Sequence, residues 1–204
     1  MALKHVTLLL TLLLSSQCAF STTKEQPKNC NFDRKHALSL SEDAFDQDLH
    51  GGWREIAHRP GCLLVGAALI RDYRSIHKQS PAILYWHEGQ LRAEAGQNAA
   101  AAELMKKSYK PTSDDTFGWN PYVDATIAFL KSDRLGLAKA QAALARVPPP
   151  PGMDSKDATY QVTFADGSIK RMKWPPNSEV VDGLVACFGK PYSVAYGQDC
   201  RPKE

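Results

Sequence analysis

The fold is decided by two stretches with the same plan, 81-PAILYWHEGQLRAEAGQNAAAAELMKKSYK-110 and 120-NPYVDATIAFLKSDRLGLAKAQAALARVP-148. Each begins with a helix-capping residue followed by proline, Ser80-Pro81 in the first and Asn120-Pro121 in the second. Serine and asparagine side chains accept hydrogen bonds from the free N–H groups of a helix start, and proline is tolerated in the first turn. In both stretches the helical pattern is then interrupted, and a second, alanine-rich helical segment follows. The pattern therefore predicts two successive helical hairpins.

Small residues recur at matching intervals in these two stretches. The intervals are seven, five, four and three residues, and the second copy lies 37 residues after the first. Small side chains at fixed points let two antiparallel helices approach closely, while larger residues between them fill the remaining space. The matched positions are Gly89, Gly96, Ala101, Met105 and Ser108 in the first copy and Thr126, Asp133, Ala138, Ala142 and Ala145 in the second.

This repeat resembles the tetratricopeptide repeat (TPR), a family of stacked helical hairpins with small residues at the crossing points, a glycine turn and a trailing proline. The matching residues are Gly89, Gly96, Ala101 and Ser108 in the first copy and Phe129, Ala138, Ala145 and Pro150 in the second. The chain departs from the family pattern at Arg92, which replaces an aromatic residue, and at Asp133, which replaces the turn glycine. The longer offset also implies three extra residues near 113–118. The resemblance covers about residues 81–150.

A TPR-like array implies a scaffold whose stacked first helices line a concave groove for a peptide or protein. Such arrays need at least about three hairpins for stability, which favours counting residues 39–78 as a degenerate third hairpin. The candidates for partner contact are polar and aromatic side chains in or near the first helices: Tyr85, His87, Glu88, Arg92, Trp119 and Asp124. The alternative for each of them is packing in the core or at its rim.

The segment before the repeat has the pattern of two helices. Apolar residues at steps of three and four make one stripe and predict a single helix from Leu40 to Ala57. Ser39 followed by Glu42 has the spacing of a capping box at the start of this helix. A second helix is predicted from Cys62 to Lys78.

The segment after the repeat changes period. Four prolines at 148–151 mark a boundary. Alternating residues over 160–164 and 169–174, joined by a turn, then predict a β-hairpin, and a short helix follows over 178–188. The predicted fold class is therefore mainly α (α+β): antiparallel helical hairpins of TPR type with a small C-terminal β-hairpin and helix.

The first 21 residues have the three-part plan of a secretory signal peptide. Lys4 supplies the positive charge, residues 6–14 are almost all apolar, and Ala19-Phe20-Ser21 places small residues where a signal peptidase reads them. The apolar run is too short for a membrane-spanning helix, which needs roughly 20 residues. A lipid anchor on Cys18 is the alternative, although Gln17 stands where a lipobox has a small residue. We predict cleavage here and no stable membrane insertion afterwards.

The predicted organisation is a signal peptide at 1–21, an N-terminal arm at 22–38, a helical-hairpin domain at 39–147 and a disulfide-stapled cap at 148–204. The formal net charge of the whole chain is +3, and removal of Lys4 with the signal leaves +2. This balance does not favour a nucleic-acid surface, because no run of lysine and arginine stands out.

Four cysteines lie beyond the signal: Cys30, Cys62, Cys187 and Cys200. An even number in an exported chain favours disulfides over free thiols, and three pairings are possible. The local choice joins Cys187 to Cys200, because glycine and proline between them let the chain turn back, and it leaves Cys30 for Cys62. Such bonds favour a periplasmic or secreted protein.

No motif in the sequence indicates catalysis, a cofactor or a metal site. His87-Glu88 begins like the helix of a zinc protease, but Leu91 stands where the second histidine is needed. The nucleophile elbow and the phosphate-binding glycine loop are also missing from the sequence. The carboxylate clusters, Asp114-Asp115 and Asp43/Asp46/Asp48, fit helix capping and solvated faces better than glycoside hydrolysis.

We therefore expect an exported protein-binding module of helical-repeat type with a protein or peptide ligand. One version, by analogy alone, is an immunity protein that neutralises a toxin delivered to the periplasm, and a second is an envelope assembly factor. The competing class is a cell-wall hydrolase built from scattered residues. Convergent histidine and carboxylate groups with shifted pKa values in a cleft would favour the enzyme. A broad polar and aromatic surface would favour the binder.

Overall fold

The computed structural model describes residues 28–78, 80–153, 159–163 and 167–203. The predicted signal peptide, the first part of the arm and part of the β-hairpin turn lie outside these residues. The α-helices are α1 (Arg34–Ser39), α2 (Gly52–Ala57), α3 (Leu63–Ile76), α4 (Ile83–Glu94), α5 (Asn98–Met105), α6 (Trp119–Leu130), α7 (Arg134–Leu144), α8 (Ser178–Ala186) and α9 (Tyr192–Ala195). The strands are β1 (Thr159–Thr163) and β2 (Ile169–Lys173). The predicted class, mainly α with a small β-hairpin, is confirmed.

The two predicted hairpins are present as α4 with α5 and α6 with α7, which pack against each other in pairs. Gly89 lies at the first crossing, where an added Cβ would stand 2.8 Å from Met105 Cγ. The first turn uses Gly96 at φ +78°. The second turn manages without glycine because Ser132 takes the positive φ and the Asp133 side chain accepts a hydrogen bond from Gly136 N at 2.8 Å.

The single helix predicted from Leu40 to Ala57 is wrong, because the chain breaks it into a π-helical turn over Asp43–Gln47 and the short helix α2. Gly52 causes the break: its φ is +55°, and an added Cβ would lie 2.0 Å from the carbonyl oxygen of Phe45. Ser39 does not cap this segment. It ends α1, which Asp33 caps by accepting from His36 N at 2.9 Å.

Buried apolar side chains form two clusters. The N-terminal cluster joins α1, the π-helical turn, α2 and α3, and it reaches α4 through Leu84 and Leu91. The C-terminal cluster joins α4 through α9 and includes Trp86, Tyr122 and Leu184. Helix α4 therefore belongs to both clusters, with different faces of the helix in each.

Two disulfides close the ends of the described chain. Cys30 is bonded to Cys62 and Cys187 to Cys200, with Cα–Cα distances of 5.6 and 5.9 Å. Both match the sequence-based choice, which joined Cys187 to the nearby Cys200 and so left Cys30 for Cys62. Both bonds fit an oxidising compartment.

The C-terminal hairpin pairs β1 with β2 in antiparallel register, Thr159 opposite Lys173 and Thr163 opposite Ile169. Trp174, directly after β2, donates from Nε1 to the carbonyl oxygen of Val147 at 2.9 Å and so ties the hairpin to the end of the helical array. The predicted last helix is present as α8, and the short helix α9 follows it. No helix in the described residues combines the length and hydropathy needed to cross a bilayer.

Candidate functional site

The six residues predicted for partner contact fall into two groups in the structure. His87, Glu88 and Arg92 are hydrogen-bonded within a buried charge cluster between α4 and the N-terminal elements. The other three are Tyr85 in the first turn of α4 and Trp119 and Asp124 in α6, and each contacts residues 107–110 of the segment that connects α5 to α6. We define the buried charge cluster as Asp46, Trp53, Arg54, Arg74, His87, Glu88 and Arg92.

Asp46 is the centre of the first half of the buried charge cluster. Its side chain is 0 % exposed, and its Oδ1 lies 2.7 Å from His87 Nδ1 and 2.8 Å from Trp53 Nε1. Arg54 adds a hydrogen bond to the Asp46 carbonyl and stacks its guanidinium over the Trp53 ring at 4.1 Å. The π-helical turn that follows Ser41 is what aims Asp46 inward at α4.

The environment of Asp46 favours its charged form. Burial alone would raise the pKa of this carboxyl, but the hydrogen bonds and charges of His87, Trp53 and Arg54 outweigh burial and hold the pKa below its usual value. Asp46 is therefore ionised at neutral pH, and its charge is balanced inside the protein.

Glu88 is the centre of the second half. It is 2 % exposed and forms ion pairs with Arg74 of α3 and with Arg92 one turn along α4, the latter at 2.7 Å. Arg92 also donates from Nη1 to Gln97 at 2.8 Å. One buried carboxylate is thus shared by two guanidinium groups that belong to different helices.

The sequence did not single out Asp46, Arg54 or Arg74. The expectation that the Asp43/Asp46/Asp48 group caps helices and faces solvent is wrong for Asp46, which is buried. The apolar periodicity of this segment indicated burial for the neighbouring Phe45 but not for Asp46. Phe45 is indeed buried, and its ring stacks on that of Tyr73 with the ring centres 3.7 Å apart. The partner of Asp46 on α4, His87, lies 41 residues away, beyond the reach of local patterns.

The buried charge cluster has the parts of an orienting pair but not of a reactive site. Asp46 can fix the ring of His87, yet the carboxylate itself is covered on every side. Among the described residues, no serine, threonine or cysteine side chain hydrogen-bonds to His87, so the pair has no nucleophile to activate. Nor do three or more histidine, cysteine or carboxylate side chains of the described chain gather as a metal site would require.

Of the outer candidates, Tyr85 and Trp119 are half-buried at the start of α4 and α6, and Asp124 is exposed one turn further along α6. We define the aromatic-lysine rim as Tyr85, Lys107, Tyr109, Lys110 and Trp119. The Lys107 ammonium lies 5.4 Å from the centre of the Tyr85 ring, and that of Lys110 lies 5.9 Å from the Trp119 ring. On its other side, Tyr85 contacts the Arg74 guanidinium at 3.8 Å. The rim thus alternates aromatic rings with cations.

Helix α6 holds the rim in place. Trp119 Nε1 donates to the Ser108 carbonyl at 2.7 Å, and Asn120 exchanges two hydrogen bonds with the backbone of Lys110, each 2.9 Å long. The Tyr109 hydroxyl donates to Asp124. Burial and the Asp124 carboxylate raise the pKa of Tyr109, so its hydroxyl stays protonated at neutral pH. The backbone of the rim is therefore fixed before any partner arrives.

One face of α4 and one face of α6 are covered by the chain's own C-terminal segment. Helix α9 packs on α4, and Gln90 Nε2 donates to the Tyr196 hydroxyl at 3.0 Å. The Tyr122 and Tyr196 hydroxyls lie 3.4 Å apart, and the buried Tyr192 ring lies 6.3 Å from Phe129. Gln90, Tyr122 and Phe129 are therefore packed against the chain's own C-terminal segment.

Comparison of the chain with protein-family models, with curated proteins and with solved structures finds no match. The site is therefore judged on its own geometry.

Proposed function

We propose that this protein is an exported protein-binding module and that its partner binds the aromatic-lysine rim. One observation carries the proposal: Lys107, Tyr109 and Lys110 are exposed on a hydrogen-bonded backbone beside the half-buried rings of Tyr85 and Trp119, whereas His87, Glu88 and Arg92 are held in internal ion pairs. The rim is preferred to a groove along α4 and α6 because α9 packs on α4 and α8 packs on α6.

The composition of the rim suits a protein interface. Tyrosine and tryptophan dominate the energetics of many interfaces because they bury large areas at low cost in side-chain entropy. Tyr109 is 39 % exposed and is therefore the rim aromatic most available to a partner. A surface whose backbone is already fixed loses less entropy on binding than a mobile loop.

The two disulfides and the signal-like N-terminus support export to an oxidising compartment, periplasmic or extracellular. Within that compartment the partner decides the biological role. A toxin delivered by rival cells would make this an immunity protein, and a protein of the producing cell's own envelope would make it an assembly factor.

Affinity capture tests the proposal. The bait is the full chain purified after export, so that both disulfides form, and it is incubated with the native envelope fraction. The rim variant combines Tyr109→Ala with Lys110→Ala. Its matched control combines Leu135→Ala with Lys139→Ala, which removes one exposed hydrophobic side chain and one lysine from α7.

We expect one stoichiometric protein partner that the control retains and the rim variant loses. Equal retention by both variants would remove the rim from the proposal. Retention of glycan fragments alone would instead support the cell-wall hydrolase, and the search for a site would then return to His87 and Asp46.

A further inference from the structure

The C-terminal β-hairpin stands apart from the helical array. Its two strands pair with each other and make few contacts with the helices. All residues of β2 except Met172 are exposed. No hydrogen bond joins the backbone of β2 to any described residue outside β1. With respect to the residues that the structure describes, one edge of β2 therefore keeps unpaired N–H and C=O groups, which is the usual template for an added strand.

This free edge is strongly basic. Lys170, Arg171 and Lys173 are three of its five residues, and none forms an ion pair with a residue that the structure describes. Directly opposite them on β1 are Val162, Gln161 and Thr159. Opposite residues in an antiparallel pair share a face, and none of these three described neighbours is a carboxylate that could pair with the cation across from it.

We propose that β2 is a second docking surface, which takes an extended, acidic segment of a partner protein as a third strand. The backbone edge supplies directional hydrogen bonds. Arg171 and Lys173 lie on the same face of β2 and select acidic side chains at alternating positions of the incoming strand, and Lys170 adds a positive charge on the other face. The same charges oppose pairing of β2 with β2 of a second copy, because that arrangement sets lysine and arginine against each other. This surface is distinct from the aromatic-lysine rim.

A peptide titration of the full, disulfide-bonded chain tests this proposal. The probe is a capped nine-residue peptide in which glutamate alternates with threonine. One control replaces every glutamate with glutamine. The other keeps the glutamates but carries N-methyl groups on alternate backbone nitrogens, which removes the donors that strand pairing needs. The dissociation constant of each peptide and the changes in backbone amide NMR shifts are measured at low salt.

We expect the acidic peptide to shift the amides of residues 169–173 and to bind at least about tenfold more tightly than either control peptide. The triple variant Lys170→Glu, Arg171→Glu, Lys173→Glu should lose at least about tenfold in affinity. The matched variant Lys35→Glu, Lys139→Glu, Lys190→Glu changes net charge equally at exposed sites elsewhere and should keep its affinity within about twofold.

Several results would overturn the inference. Equal binding of the N-methylated peptide would reduce β2 to a general anion surface. Binding to phosphatidylglycerol vesicles without any peptide effect would assign it to membranes, and dimerisation abolished by the triple variant would assign it to a second copy. The rim variant Tyr109→Ala with Lys110→Ala should bind the peptide normally, which separates failure at β2 from failure at the rim.

Discussion

The buried charge cluster and the aromatic-lysine rim share helix α4 but use their side chains in opposite ways. Tyr85 and Glu88 lie one turn apart on this helix, and both contact Arg74. Glu88 is enclosed with two guanidinium groups, whereas Tyr85 lies beside the exposed Lys107. The difference teaches that polar side chains of one helix can be divided between ion pairs that hold the scaffold together and contacts at the surface. Only their contacts reveal which role each one has.

The largest effect should come from removing the centre of the buried charge cluster. Asp46→Ala leaves the Trp53 N–H, His87 and Arg54 without their buried acceptor, and we expect a loss of about 3–5 kcal/mol in the free energy of unfolding. Urea unfolding measures it. Asp43→Ala, in the same π-helical turn but exposed, is the control and should unfold almost like the wild type. Equal losses in both variants would contradict the role given to Asp46.

Removal of either disulfide should cause the next largest loss in the free energy of unfolding, and the loss should differ between the two bonds. The bridges span 32 and 13 residues. Loop-closure entropy then gives about 3.7 kcal/mol for Cys30–Cys62 and about 2.9 kcal/mol for Cys187–Cys200. Paired Cys→Ala variants compared by urea unfolding measure both. A larger loss at the C-terminal bridge would show that anchoring the segment over α4 and α6 matters more than loop length.

Acid should weaken the buried charge cluster specifically. The pKa of Asp46 is lower in the folded protein than in the unfolded chain, where it is about 3.9. The charge of Asp46 therefore stabilises the protein fully above about pH 3.9, and this contribution is lost as the pH falls through the folded-state pKa. The stability difference between wild type and Asp46→Asn should therefore be greatest near neutral pH and shrink below about pH 4. Unfolding curves from pH 7 to pH 3 measure it. A constant difference would contradict an ionised Asp46.

The smallest effect on stability is expected at the rim. Tyr109→Phe removes the hydrogen bond to Asp124 at an exposed position, and the free energy of unfolding should fall by less than about 1 kcal/mol. Thermal unfolding checks this, with Tyr122→Phe as the buried comparison. A loss at Tyr109 as large as that at Asp46 would mean that the rim is part of the scaffold, and the division between the two regions would fail.

The sequence predicted the helical array well because its signals are local. The turn at Gly96 and the small residue Gly89 at the first crossing each act within one hairpin. The predicted caps are wrong, because Ser80 donates to the His77 carbonyl instead of capping α4, and Asn120 lies inside α6 with its side chain on the Lys110 backbone. The broken helix before α3 was missed because the positive φ of Gly52 depends on the carbonyl of Phe45, a contact that periodicity does not register.

The site was harder to predict because its contacts are distant in sequence. Asp46 meets His87 across 41 residues, and Gln90 meets Tyr196 across 106. The resemblance to a repeat family directed attention to α4 and α6, where all six candidate residues lie in or beside the rim and the cluster. It carried no information on the C-terminal segment that covers the remaining face.

Site-specific photocrosslinking in the producing cells tests the central claim most directly. A photoreactive residue is placed at Tyr109 in the rim and, in separate proteins, at Leu135 or Leu64, which are 75 % and 42 % exposed on other helices. We predict one discrete crosslinked product from position 109 and none from the two control positions. A product from position 135 or 64 alone, or equal products from all three, would contradict the rim as the partner-binding surface.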